Sequence, residues 1–126
     1  ADGNLDGDYS DHLRQSDFTV ENMTIVNNAA NTTDNVDRMQ DVIKIRRGAK
    51  ATITNAFVKG SGGTIDLIDM NDSKGAGNAA SSISITHTLN FKNKLNGTLN
   101  TFTEPTTNTG ADASLFTWSG YNFSSL

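Results

Sequence analysis

The first eleven residues, ADGNLDGDYSD, carry Asp2, Asn4, Asp6 and Asp8 at every second position, with Gly7 among them. Oxygen-bearing side chains at that spacing suit calcium. A twelve-residue calcium loop needs ligands at its first, third and fifth positions, Gly at the sixth and a bidentate acid at the twelfth. Asp2, Asn4, Asp6 and Gly7 meet the first four needs, but Leu13 stands where the acid belongs. Asp8, Asp11 or Asp17 would have to supply the missing oxygens by another geometry. The bland alternative is a solvated acidic connector whose Asx side chains cap turns.

Lys44, Arg46, Arg47 and Lys50 form the densest basic cluster. Period-two alternation sets Lys44 and Arg46 opposite Ile43 and Ile45, on an outward strand face. By analogy of fold alone with β-helix polysaccharide lyases, such a face could supply an Arg or Lys base that, with calcium, abstracts a proton next to a uronic acid carboxylate. Equally, it could simply be a charged surface that discourages lateral association. Asp66, Asp69 and Asp72 make an acidic strip, with Asp66 expected beside Lys44 on a neighbouring strand, since opposite charges pair across strands. Two carboxylates could hydrolyse a glycoside at separations of about 5 Å or about 6.5–9.5 Å. The only two His, His12 and His87, lie far apart in sequence with no Cys in the chain, which argues against zinc. No nucleophile elbow, phosphate loop or dinucleotide fingerprint is present, and no catalytic residue is assigned. Near the C-terminus, Leu115-Phe116-Thr117-Trp118-Ser119-Gly120-Tyr121-Asn122-Phe123 gathers aromatics that are scarce elsewhere. Trp118 and Tyr121 could stack on a sugar; the plainer role for the stretch is to cover the end of the fold.

These residues must be held by short strands. Val20-Glu21-Asn22-Met23-Thr24-Ile25, Ile53-Thr54-Asn55-Ala56-Phe57-Val58 and Ile85-Thr86-His87-Thr88-Leu89-Asn90 align at spacings of 33 and 32 residues. A second strand type, Val42-Ile43-Lys44-Ile45 and Thr64-Ile65-Asp66-Leu67, falls between them. Gly-centred links at 46–50 and 59–63 read as turns, and polar insertions fill 27–40 and 71–81. A strand–turn–strand–loop unit of this length predicts a solenoid whose coils stack into parallel sheets. Inward positions would be Val20, Ile25, Ile43, Ile45, Ile53, Ile65, Leu67, Ile83 and Ile85. Asn22, Asn55 and His87 would form a column along the axis. An antiparallel sandwich is the competing architecture.

The composition agrees with many strands and polar turns. Hydrophobic residues make up 35%, below the usual figure of about 45–50%; 15 Asn, 16 Thr and 11 Gly fill the gap. A net charge of −4 argues against a nucleic-acid partner. No apolar stretch approaches the ~20 residues that span a bilayer.

The run Asp41 to Gly60, DVIKIRRGAKATITNAFVKG, resembles a motif of bacterial extracellular proteins built on a right-handed parallel β-helix, often surface lipoproteins or large secreted proteins. Ile45-Arg46-Arg47-Gly48-Ala49 matches the family's step, with Ala49 in place of the usual Thr. Asn22-Met23-Thr24-Ile25 resembles the preceding strand, Ala1-Asp2-Gly3-Asn4 the acidic link upstream, and Ile65-Asp66-Leu67 the following coil. The resemblance covers roughly residues 1–92. It implies the C-terminal coils of a longer helix, located outside the cell or on its outer surface, with no defined activity.

The expected fold is therefore all-β, a right-handed parallel β-helix fragment forming one domain: a connector over 1–17, coils over 18–92 and an irregular cap over 93–126. The expected function is a non-catalytic structural or adhesive module of a larger secreted bacterial protein, binding polysaccharide or cell-surface glycan through Lys44, Arg46, Trp118 and Tyr121. Asp2, Asn4, Asp6 and Asp8 are the calcium candidates, and exposed coil ends predict end-to-end homo-oligomers. The alternative is a fragment of a polysaccharide lyase or glycoside hydrolase.

Overall fold

The computed structural model describes residues 15–29 and 39–123. Among the described residues, eight strands run β1 (Asp17–Glu21), β2 (Thr24–Val26), β3 (Met39–Lys44), β4 (Lys50–Lys59), β5 (Gly63–Asp69), β6 (Ser82–His87), β7 (Asn90–Asn96) and β8 (Thr101–Thr103), followed by a short 3-10 helix, Ala113–Ser119. The chain is all-β, and these strands pair in parallel throughout. One sheet has the order β1-β4-β6-β8 with β2 also on β4; the other is β3-β5-β7. From β2 onward the chain alternates between the two sheets. Each return adds a strand beside the last one laid in that sheet.

Parallel strands buried between layers must be apolar where they face the core. Ile43, Ile45, Ile53, Leu67, Ile83 and Ile85 are all buried as expected, in one cluster drawn from both sheets. Val20 and Ile25 pack against it half-buried. Ile65 does not join. Leu67 and Ile68 are adjacent yet both fully buried, so strict alternation breaks inside β5 and the core positions shift to Leu67, Ile68 and Met70.

The register corrects two further expectations. Val20 pairs with Ile53 as the repeat predicts, but Ile53 pairs with Ile83, and Ile85 opposes Ala56. Three steps along β4 match two along β6, which is a β-bulge. The predicted cap boundary at Asn93 falls inside β7. Regular pairing continues to Thr103, because Leu95 and Phe102 still have core to cover.

Turn chemistry sits where the sequence marks it. Arg47 (φ 56) and Gly48 (φ 78) are consecutive left-handed residues between β3 and β4, the backbone a tight primed turn requires. At Gly60 (φ +133) an added Cβ would strike the carbonyl of Asn27. Buried Asn27 in turn donates from Nδ2 to the Gly63 carbonyl at 3.2 Å.

Candidate functional site

Two polar seams run across the strands, one on each sheet. The first lies on β3, β5 and β7, where Asp41 opposes Asp66, Lys44 opposes Asp69, Asp66 opposes Asn93 and Asp69 opposes Asn96. In a regular strand, residues three apart point to opposite faces. Here they meet. Carboxylate oxygens of Asp41, Asp66 and Asp69 all lie within 4.8 Å of one another, and Lys44 Nζ reaches Asp41 Oδ2 at 3.4 Å on its own strand. All three strands therefore bend between these positions, and each bend presents a polar pair.

Lys44 donates to Asp69 Oδ2. Asn93 Nδ2 donates to Asp66 Oδ1 at 2.7 Å and Asn96 Nδ2 to Asp66 Oδ2 at 3.1 Å. The Asn71 backbone N–H donates to Asp69 Oδ1 at 2.9 Å, and Asn71 Nδ2 to Asn96 Oδ1 at 2.8 Å. The hydrogen bond to Asp69 holds the Lys44 ammonium above its usual pKa. Burial pushes Asp41 upward against the pull of Lys44, and the charge of Asp69 adds to the rise. Asp41, Asp66 and Asp69 are the described residues able to hold a metal ion, and Lys44 already supplies positive charge there.

The structure separates the predicted basic cluster. Lys44 pairs with Asp69 rather than Asp66, because the register sets it opposite the later carboxylate. Arg46 Nη1 donates to Asp72 Oδ2 at 3.0 Å, and Arg47 Nε lies 3.6 Å from Asp72 Oδ1. The Lys74 backbone N–H holds the Asp72 carboxyl below its usual pKa, with Arg46 and Arg47 adding to the effect. Lys50 Nζ meets Asp17 at 3.2 Å.

The second seam is neutral. Asn22 (φ 57) and Asn55 (φ 51) both take the left-handed conformation, which Asn tolerates better than most side chains. Asn55 Nδ2 donates to Asn22 Oδ1 at 2.8 Å, so these two rungs of the expected column are present. His87 is not the third rung; the bulge puts it opposite Val58. Asn108 fills the gap, donating from Nδ2 to the Ala56 carbonyl and Ser84 Oγ, each at 3.2 Å.

Asn108 belongs to a strap, residues 104–111, that crosses the rungs of this sheet. Thr86 Oγ1 donates to the Pro105 carbonyl at 2.5 Å. Thr109 N–H donates to Asn55 Oδ1 at 2.8 Å, and Ala111 N–H to Thr24 Oγ1 at 2.9 Å. Gly110 (φ +72) sits so close to the sheet that a Cβ would strike Thr24 Oγ1. At the near end of the strap, Glu104 accepts from Lys94 at 2.8 Å and meets His87 Nε2 at 2.8 Å. Burial pushes the Glu104 carboxyl up, but the bonds from Lys94 and His87 outweigh it and hold its pKa low.

Beyond the strap, the 3-10 helix leaves Trp118 82% and Tyr121 55% exposed. Tyr121 packs edge-on to Phe123, at 4.9 Å between centroids. Trp118 and Tyr121 are thus accessible, but the structure does not bring them to Lys44 or Arg46. Asp2, Asn4, Asp6 and Asp8 lie outside the described residues. Sequence reasoning overlooked the strap and the pairing of Asn93 and Asn96 with Asp66. The Asn93-Lys94-Leu95-Asn96 spacing repeats the three-residue offset of Asp66 and Asp69, and that was the available signal.

Comparison with known proteins finds no similarity: no family model, no curated protein and no solved structure matches the chain. Among the described residues, no helix is long and apolar enough to cross a membrane.

Proposed function

We propose that this chain is a short stretch of right-handed parallel β-helix serving as a non-catalytic structural or adhesive module of a larger secreted bacterial protein, as the resemblance of residues 41–60 implies. Alternation of the chain between two parallel sheets supports the solenoid reading. One observation carries the non-catalytic reading: Lys44, Arg46 and Lys50 are each matched by a carboxylate on a neighbouring segment. Their chemistry is used in holding rungs together. Glycans are bound on exposed surface, with Trp118 and Tyr121 as stacking groups. Glycan-array binding lost in Trp118→Ala, with no turnover of acidic or neutral polysaccharides, is the expected result. An array that stays blank removes the adhesive role.

The enzyme reading draws on the close carboxylates of Asp41, Asp66 and Asp69. It requires polysaccharide cleavage that disappears in Asp69→Asn, and such cleavage would displace the module reading. Calcium at Asp2, Asn4, Asp6 and Asp8 belongs to the proposal as a stabilising ion. A melting temperature unchanged by chelator removes it. Among the described residues, β3 and β7 each pair on one side only. These open edges support end-to-end association, and a strictly monomeric mass by light scattering at high concentration excludes it.

A further inference from the structure

Asn96-Gly97, at the end of β7, is the one Asn-Gly pair in the sequence. Such a pair carries a reaction of its own. The Gly backbone nitrogen can attack the Asn side-chain carbon Cγ, because Gly has no Cβ to hinder the approach. A new N–Cγ bond closes a five-membered succinimide, and the Cγ–Nδ2 bond breaks. The proton from the Gly nitrogen leaves with the amide nitrogen as ammonia. Water then opens the ring, giving either an aspartyl side chain or an isoaspartyl link in the main chain.

The fold holds this attack off. The Asn96 amide is turned across to β5 and the residues after it. Nδ2 donates to Asp66 Oδ2 at 3.1 Å, and Oδ1 accepts from Asn71 Nδ2 at 2.8 Å. The Asn96 backbone carbonyl accepts from the Met70 N–H at 2.7 Å. For Cγ to react, the side chain must release both partners and fold back onto its own strand. Glycine cannot be exchanged away without cost here, since Gly97 takes φ +105 and an added Cβ would lie 2.9 Å from Met70 Cβ. Among the described residues, β7 pairs on one side only, and edges are where local opening costs least.

The product cannot take the old place. An amide nitrogen donates, whereas a carboxylate only accepts. A carboxylate at position 96 would meet Asp66 where a donor stood, and like charges set opposite each other across strands are destabilising. It would also join Asp41, Asp66 and Asp69, which already lie close together. An isoaspartyl link adds an atom to the main chain and displaces the bond to Met70. We propose that Asn96-Gly97 is a modification site that works as a one-way timer: opening of the β5–β7 seam exposes Asn96 to deamidation, and deamidation keeps the seam open. The site is separate from the glycan surface proposed above and does not depend on it.

The test incubates the full chain at mildly alkaline pH, folded and in urea, and follows amide-to-acid conversion at each Asn by peptide mass mapping. Labelling with an isoaspartyl methyltransferase reports the rerouted product. In urea, Asn96 is expected to convert before any other Asn. In the folded chain its rate is expected to fall by roughly tenfold or more, the factor that hydrogen bonds to both amide atoms support. Asn71→Ala, at an exposed position, is expected to recover part of that difference. Asn96→Asp is expected to lower the melting temperature and to speed hydrogen exchange at the Met70 N–H. The proposal is overturned by equal rates folded and in urea, by another Asn leading in urea, by an unchanged rate in Asn71→Ala, or by Asn96→Asp melting and exchanging like the parent. Since the folded and urea rates are read on the unaltered chain, their ratio decides even if Asn71→Ala fails to fold.

Discussion

The two sheets solve one problem with different materials. Each must bend its strands and satisfy the polar groups that the bend exposes. On β3, β5 and β7 the bend is lined by Asp41, Lys44, Asp66, Asp69, Asn93 and Asn96, so carboxylates are answered across strands by one ammonium and two side-chain amides. On the other sheet, Asn22 and Asn55 absorb the bend in their own backbones, and the strap answers their amides. The charged seam depends on proton occupancy. The Asn22–Asn55 pair depends on conformation, and on that side the titrating group is Glu104 at the end of the strap. Similar geometry can thus be held either by electrostatics or by backbone shape.

The largest expected effect tests whether the seams share one core. Leu67→Ala in β5 and Ile83→Ala in β6 each remove a fully buried side chain and should each cost about 2–5 kcal/mol. Urea denaturation should show single transitions of similar loss. Two separate transitions would mean that the sheets fold independently.

Next is Lys44→Met. Removing the ammonium leaves the buried Asp69 carboxylate without its charge partner. A loss of about 2–3 kcal/mol is expected at neutral pH, less than for a fully buried pair because Lys44 is one-third exposed. The double variant Lys44→Met/Asp69→Leu should recover most of it; a double variant as unstable as the single one would assign the loss to packing.

Asn55→Ala should cost about 1–3 kcal/mol, since it removes the bonds to Asn22 and Thr109 and forces a Cβ residue without a helpful amide into left-handed backbone. Asn55→Gly should recover only the conformational part. If Gly and Ala behave alike, backbone shape is not what Asn55 contributes.

The smallest effect is the sharpest contrast. Asp41 has a raised pKa in the fold, so the folded state binds its proton more tightly than the unfolded chain does. Its contribution to stability therefore falls as pH rises from the ordinary carboxylate range through the raised value. Glu104 has a lowered pKa, so its contribution is present above the unfolded value and is lost as pH falls through the folded one. Stability curves from about pH 3 to 7 should shift in opposite senses for Asp41→Asn and Glu104→Gln, by tenths of a kcal/mol to about 1 kcal/mol. Parallel curves would show that the two carboxyls do not differ in this way.

Legibility in the sequence follows periodicity. The Val20–Ile53 register and the Asn22–Asn55 contact were readable because similar residue types recur at 33 positions. The fit failed at Ile85 and His87, because a one-residue bulge leaves hydrophobicity nearly unchanged while moving every partner. The acidic strip of Asp66, Asp69 and Asp72 is legible, but the expected Asp66–Lys44 pairing gives way to Asp69, which the register sets opposite Lys44. The strap was invisible for a different reason. Its Thr, Asn and Gly residues have no period, and its partners lie 10 to 87 positions away.

The bond from Ala111 to Thr24 joins residues 87 positions apart, and it sets an order of events during synthesis. The first strands can be laid down early, but Thr24 and Asn55 find their strap partners only after residue 111 has been made. Until then the outer face of β2 and β4 is open. A segment with little regular structure thus acts as a clasp that ties β2, β4 and β6 together.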